Sequence, residues 1–326
     1  MAHRASKHLS HVVVIIQENR SFENFFAGFP GANAPTSGYA FNHIHHRVLV
    51  PLHQTTFETN PNLPHDWNSA ITGWDNGKMD GFHIGPGKNF AAYAFMDHPE
   101  IAPYWAMAEQ YVLADEMFPT EFGGSFTAHL TAIAGNDDMS STTAQVNYPD
   151  HTPNDCDSPP GTKSSLVNDK RQLEPPGTGP FPCFIQFNTI AQVLDTGGVS
   201  WKYYVQNHLD GGIWSPFEEI AYVRCAQFTP PQTCSGDGAD WYTDVIAPQT
   251  QVLTDIQNNQ LADVSWVTPS HADSDHPGAH SNTGPSWVTS IVNAIGQSPY
   301  WNSTAIVVIW DDWGGWFDNA SPPQPD

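Results

Sequence analysis

The stretch Val12-Val13-Val14-Ile15-Ile16-Gln17-Glu18-Asn19-Arg20-Ser21 decides the reading of this chain. Five apolar β-branched residues in a row suit a strand buried on both faces, as a parallel sheet requires. The run then stops at once in amide and carboxylate side chains. The other end of the chain repeats the arrangement: Thr304-Ala305-Ile306-Val307-Val308-Ile309-Trp310 runs straight into Asp311-Asp312-Trp313-Gly314-Gly315. Open α/β sheets bind ligands at the carboxyl ends of their strands. Two such ends loaded with hard oxygen donors predict a site for one or more divalent metal ions, formed by Glu18, Asn19, Asp311 and Asp312. The plainer reading is that these residues only end strands and open turns. It weakens when the four are taken together, because adjacent carboxylates repel and need a cation or protons to coexist.

Working outward, strand and helix patterns alternate. Strands are expected over 12–16, 112–115, 200–205, 264–267 and 304–310, and helices over 99–110, 125–134, 189–194, 248–258 and 286–296. Pro99 and Pro248 suit first-turn positions, and Gly135 and Gly197 suit helix ends. This βαβα order predicts an α/β fold with a mostly parallel central sheet and helices on both faces. Stretches 28–87 and 140–182 break the alternation and read as loop-rich insertions around the sheet mouth within a single domain, 1–326.

Composition narrows the function. Eleven Lys and Arg stand against 34 Asp and Glu, a formal net charge of -23. Nucleic-acid binding needs basic patches, so it is excluded as a function class, as is electrostatic docking on anionic lipid. No apolar run approaches the roughly 20 residues of a membrane span, so no stable membrane insertion is expected. Low charge content and four cysteines in Pro-rich contexts, none in a C-x-x-C, read as a secreted or periplasmic protein with disulfides of open connectivity. No signal peptide is legible at the start, so this reading expects a leader that was removed or omitted.

Between the two strand ends lies Phe122-Gly123-Gly124-Ser125-Phe126-Thr127-Ala128-His129-Leu130. Two glycines precede a serine that opens a helix. Free N–H groups and the positive dipole end at such a start suit a phosphate. A serine there, beside a cation, can act as a nucleophile; the plainer reading is a helix cap. The serine-hydrolase elbow G-x-S-x-G is not matched, since Thr127 stands where its second glycine belongs.

Taken in order, these segments resemble the bacterial phosphoesterase family of phospholipases C and acid phosphatases, within the alkaline-phosphatase superfamily. Its opening Q-E-N-R-S-F-D appears as Gln17-Glu18-Asn19-Arg20-Ser21-Phe22-Glu23. Its H-x-W and G-x-M-D-G-F appear as His65-Asp66-Trp67 and Gly77-Lys78-Met79-Asp80-Gly81-Phe82. Its G-P-[ST]-x-P-N-[HR]-L survives in part around Ser125, and S-D-H-P and S-P-x-W recur at Ser274-Asp275-His276-Pro277 and Ser298-Pro299-Tyr300-Trp301. The closing D-E-H-G-G-x-x-D-H appears as Asp311-Asp312-Trp313-Gly314-Gly315-Trp316-Phe317-Asp318-Asn319.

The resemblance implies an alkaline-phosphatase-like fold and hydrolysis of a small phosphate ester or a phospholipid headgroup diester through a phosphoserine. It implies Glu18, Asn19, Asp311 and Asp312 as metal ligands, with Ser125 bridging as nucleophile. His65, His129 and Gly124 would bind substrate, and His65 and His276 would assist catalysis. His276 would protonate the leaving oxygen, with Asp275 orienting the ring and raising its pKa. Asp312 replaces the family's Glu, and Trp313 and Asn319 replace histidines. The serine nucleophile leans toward the acid-phosphatase members; the phospholipases carry threonine. The family pattern continues past the point where this chain stops, so the resemblance implies either a short family member or a fragment lacking its C-terminal part; a fragment would leave one sheet edge or face uncovered. Two other classes stay open: a metal-independent serine hydrolase, and an inactive relative that only binds phosphate.

Overall fold

The computed structural model describes residues 9–84, 90–208, 213–230 and 232–323. At its centre is a five-stranded sheet in the order Val245–Ile246, Trp201–Tyr204, Val264–Val267, His11–Gln17, Thr304–Trp310. Every neighbouring pair is parallel. Successive side chains on a strand point to opposite faces, and here they divide between two cores. Val13, Ile15, Tyr204 and Val267 pack with Val252 and Ile256 of the helix Gln251–Gln257, Val288 and Ile291 of Gly284–Gly296, and Tyr104 of His98–Gln110. Ile16, Trp201, Tyr203 and Trp266 pack on the other face with Phe126, Leu130 and Ile133 of Ser125–Ala134 and Ala191 of Ile190–Gly197. Each buried side chain of this size contributes about 1.5–3 kcal/mol. Helices thus cover both faces of a parallel sheet, the α/β class expected from the alternation. Thr304–Trp310 is an edge strand, and Val307 keeps 37% of its surface exposed.

Three expectations are corrected. Residues 112–115 form no strand: they follow the helix His98–Gln110 as an irregular segment, with Val112 90% exposed. Only Leu113 of that run packs against a core, and one inward side chain does not hold a strand. The fifth strand is instead Val245–Ile246, too short to leave a periodic signal. The helix expected from Pro248 begins at Gln251.

The two stretches read as loops carry short sheets. Ser37–Phe41 pairs antiparallel with Arg47–Pro51, and His53–Thr55 pairs parallel with Ala94–Met96. In the second stretch Thr143–Val146 pairs with Asp138–Ser140 and Ser165–Asn168. Strands of three to five residues are too short for alternation to stand out. Residues 85–87 of the first stretch lie outside the described residues.

Disulfides join Cys156 to Cys183 and Cys225 to Cys234. Among the described residues no helix is long and apolar enough to cross a membrane.

Candidate active site

Strand register brings the first candidate ligands together. Gln17 lies opposite Trp310 on adjacent parallel strands, so the next residues, Glu18 and Asp311, leave the sheet side by side. The Asp311 N–H donates to Gln17 O at 2.9 Å, and the Glu18 N–H donates to Ser274 O at 2.8 Å. That second bond ties in the loop that follows Val264–Val267. Asn19 then turns at φ +57°, a left-handed conformation that asparagine tolerates better than most residues. The turn directs its N–H onto Asp311 Oδ1 at 2.7 Å. Gly314 has φ +62°, and a Cβ there would run into the Asn19 carbonyl; its N–H donates to Asp312 Oδ1 at 2.7 Å.

Ser125 is the first residue of its helix, and Gly124 is the cap. The serine hydroxyl therefore does not serve the helix end. It donates to Asp312 Oδ2 at 3.3 Å. Asn19 Nδ2 lies 3.4 Å from Ser125 Oγ, 3.3 Å from Asp312 Oδ2 and 2.9 Å from His65 Nε2. One helical turn after Ser125, the fully buried His129 places Nε2 2.9 Å from Glu18 Oε1 and 3.8 Å from Asp311 Oδ2. His129, expected to bind substrate, thus stands between the carboxylates of Glu18 and Asp311.

These groups sit badly without a cation. Burial, reinforced by Asp311, holds the Glu18 carboxyl well above its usual range. Burial and then Asp311 raise Asp312 to about 7, and burial pushes the His129 imidazole down to about 4. Glu18 Oε2, Asn19 Oδ1 and Asp311 Oδ2 are buried with no hydrogen-bond partner. Each such orphan costs about 1–3 kcal/mol. Atoms of Glu18, His129 and Asp311 fall within 4.8 Å of one another. Orphaned carboxylate and amide oxygens beside an imidazole are a donor set that fits a divalent cation.

Aromatic and imidazole rings line the wall. His65 and His276 have ring centroids 6.5 Å apart. His65 Nδ1 pairs with Leu63 O at 2.6 Å. Burial opposes charge on His65, but Asp312, the Leu63 carbonyl and Asp311 outweigh it, leaving its pKa raised. His276 lies 5.6 Å from His271 and 6.2 Å from Trp214, and Trp214 stacks on His271 at 5.9 Å. Sequence reasoning missed Trp214, left His271 unassigned and missed Tyr148, whose hydroxyl would lie 3.9 Å from a Cβ placed on Gly124. None of these lies in a motif that marks it.

The expected partnership of Asp275 with His276 is overturned. Asp275 turns inward at φ +67° and accepts bonds from Tyr104 at 2.6 Å, Gln17 at 3.2 Å and Trp310 at 3.2 Å. His276 Nδ1 pairs instead with Pro277 O. Burial lowers the His276 pKa to about 4, opposite to the expected rise. Trp313 and Asn319, which replace histidines, serve packing and backbone roles: Trp313 lies edge-on to Phe82, and the Asn319 N–H donates to Glu23.

The family model described as "Phosphoesterase family" matches residues 9–326. The chain belongs to that family. Among similar proteins of the phosphoesterase family is a non-hemolytic phospholipase C of Pseudomonas aeruginosa, 25% identical over 98% of this chain and 44% of its own length. Another is a non-hemolytic phospholipase C of Burkholderia pseudomallei, 25% identical over 97% of this chain and 45% of its own. Phospholipase C A of Mycobacterium tuberculosis is 23% identical over 97% of this chain and 60% of its own. The chain spans about half the length of the curated relatives it matches.

Proposed function

We propose that this phosphoesterase-family chain hydrolyses phosphate esters with a divalent cation and a transient phosphoserine at Ser125. The observation that carries the reading is the set of buried, unpartnered oxygens on Glu18, Asn19 and Asp311 grouped beside a serine at a helix start. Glu18, Asn19, Asp311 and Asp312 hold the cation, with Ser125 alongside. When bound, the cation supplies Lewis-acid stabilisation of the serine alkoxide and of phosphoryl oxygens.

The chain's own groups do the rest. Asp312 Oδ2, 3.3 Å from Ser125 Oγ, accepts the serine proton. The Ser125 oxygen forms its bond to phosphorus as the bond to the ester oxygen breaks. First-turn N–H groups have no partner within a helix, so those of Ser125 and Phe126 can face the phosphoryl oxygens. His276, on the wall, gives a proton to the departing alcohol, and His65, beside Asn19, binds the phosphate. Water then hydrolyses the phosphoserine. A Ser-His relay fits less well, because the hydroxyl of Ser125 faces Asp312 and Asn19 while His129 is engaged by Glu18.

The substrate class is a phosphomonoester or a phospholipid headgroup diester, and the relatives' names, phospholipases C, support the second. We read the matched span as one domain whose 28–87 and 140–182 stretches frame the mouth. Two disulfides support a secreted or periplasmic setting. The decisive assay offers nitrophenyl phosphate, bis-nitrophenyl phosphate, short-chain phosphatidylcholine and nitrophenyl acetate to the purified chain, with and without chelator. Chelator-sensitive release from a phosphate ester is expected. Chelator-insensitive cleavage confined to the acetate overturns the reading in favour of a serine hydrolase.

A further inference from the structure

Tyr148 lies in the 140–182 stretch, outside the central sheet, yet its hydroxyl comes up to Gly124, at the helix start that carries Ser125. Its backbone is firmly placed. Asn147 turns at φ +50° and its Oδ1 accepts the Trp67 N–H at 2.9 Å, pinning the turn to the start of the helix that follows His65. Ser165 Oγ donates to the Tyr148 carbonyl at 3.2 Å. The Tyr148 ring centroid lies 6.4 Å from that of Phe126, the residue after Ser125. A Cβ placed on Gly124 would lie 3.9 Å from the Tyr148 hydroxyl oxygen and 3.9 Å from His65 Cδ2. The phenol and the imidazole therefore border the same small space over Gly124, at the helix start where phosphoryl oxygens are expected.

The floor of this space is acidic: Asp312 Oδ2 lies 3.3 Å from Ser125 Oγ, and Asn19 Nδ2 lies 3.3 Å from that carboxylate and 2.9 Å from His65 Nε2. A phosphoryl group entering beside that carboxylate needs donors on the wall to offset repulsion. A neutral phenol has one proton to donate and a rigid ring to aim it.

We propose that Tyr148 is a catalytic residue that donates its hydroxyl hydrogen to a non-bridging oxygen of the phosphoryl group over Gly124. The proposal rests on Ser125 being the nucleophile, and its test separates the two. The purified full chain, with a divalent cation present, is compared with Tyr148→Phe and Tyr148→Leu for binding of inorganic phosphate and vanadate and for turnover of nitrophenyl phosphate.

A donor role predicts that both variants bind vanadate at least about 10-fold more weakly and lose about 10²-fold in kcat/KM, the scale of one lost oxyanion donor, with unchanged circular dichroism. A purely steric wall role predicts a normal Phe variant and an impaired Leu variant, and that result overturns the proposal. Wild-type vanadate affinity in Tyr148→Phe overturns it too, while an inactive Ser125→Ala leaves the nucleophile in place. A wild-type chain that neither binds vanadate nor cleaves any phosphate ester overturns both.

Discussion

The backbone N–H of Asn19 donates to the carboxylate of Asp311 at 2.7 Å, between residues 292 positions apart in the chain. The bond locks the turn after one strand to the turn after its parallel neighbour. It holds one Asp311 oxygen as acceptor and leaves the other unpartnered, beside Glu18 and His129. The site's negative charge is thus fixed by main chain before any ligand arrives, which is the condition for electrostatic preorganisation.

Removal of the cation should abolish activity and also lower thermal stability, because the orphaned carboxylates must then take up protons or repel. Dialysis against chelator followed by melting and activity measurements, with readdition of divalent cations, checks this. Asp311→Asn should weaken cation affinity in the same titration and require a higher cation concentration for half-maximal activity. An untouched melting temperature and full turnover with no metal by elemental analysis would refute both expectations.

Ser125→Ala should eliminate phosphate-ester hydrolysis while the fold persists. The helix keeps its cap, since Gly124 occupies that position. The loss is two long hydrogen bonds, to Asp312 and from Asn19, about 1 kcal/mol each. Circular dichroism melting measures the stability and phosphate release measures the activity; turnover near normal in the folded variant removes Ser125 from the nucleophile role.

His276→Ala should slow cleavage of alkyl phosphates by ~10²-fold and barely alter nitrophenyl phosphate, whose leaving group needs no proton. Burial holds the ring neutral down to about pH 4, so proton donation is confined to the acid side unless bound phosphate raises the pKa. The wild-type rate on alkyl phosphates is therefore expected to rise as pH falls below neutrality. Equal losses on both ester types would assign His276 to phosphate binding and leave His65 as the acid.

Glu23 supplies a pH dependence of stability away from the cation ligands. Burial, then the charge of Asp318, raises its pKa from 4.5 to about 9, and its Oε2 accepts the Asn319 N–H. The folded chain keeps this proton across a window where the unfolded chain has lost it. The contribution is full below about 4.5 and is lost as pH rises toward about 9. Asp318, raised to about 6 mainly by burial, acts in the same sense. Glu23→Gln keeps an acceptor and a donor without the titration, so it should flatten the fall of melting temperature between pH 5 and 9, read by calorimetry in both proteins. A parallel pH profile in the variant would place the dependence elsewhere.

Four of the five central strands and most of the longer helices were legible because local pattern suffices for them. An unbroken β-branched run between polar ends can only be satisfied by burial on both faces, and Val13, Ile15 and Ile16 are buried accordingly. The motif order also carried the family, which the match over residues 9–326 establishes. Residues 112–115 misled, since a few apolar residues in sequence say nothing of whether a neighbouring strand is there to pair with them.

The sequence by itself determined the strand ends, the Gly-Gly-Ser helix start and the candidate ligands, because each is a local choice of residue type. Tertiary structure alone decided that Glu18 and Asp311 emerge side by side, that His129 joins the carboxylates, that Asp275 points away from His276, and that Tyr148 comes up to Gly124. Those outcomes depend on parallel register, on left-handed turns at Asn19 and Asn147, and on which face of a helix meets the sheet. Register and packing are properties of pairs of segments far apart in the chain, and no single segment encodes the partner it will meet.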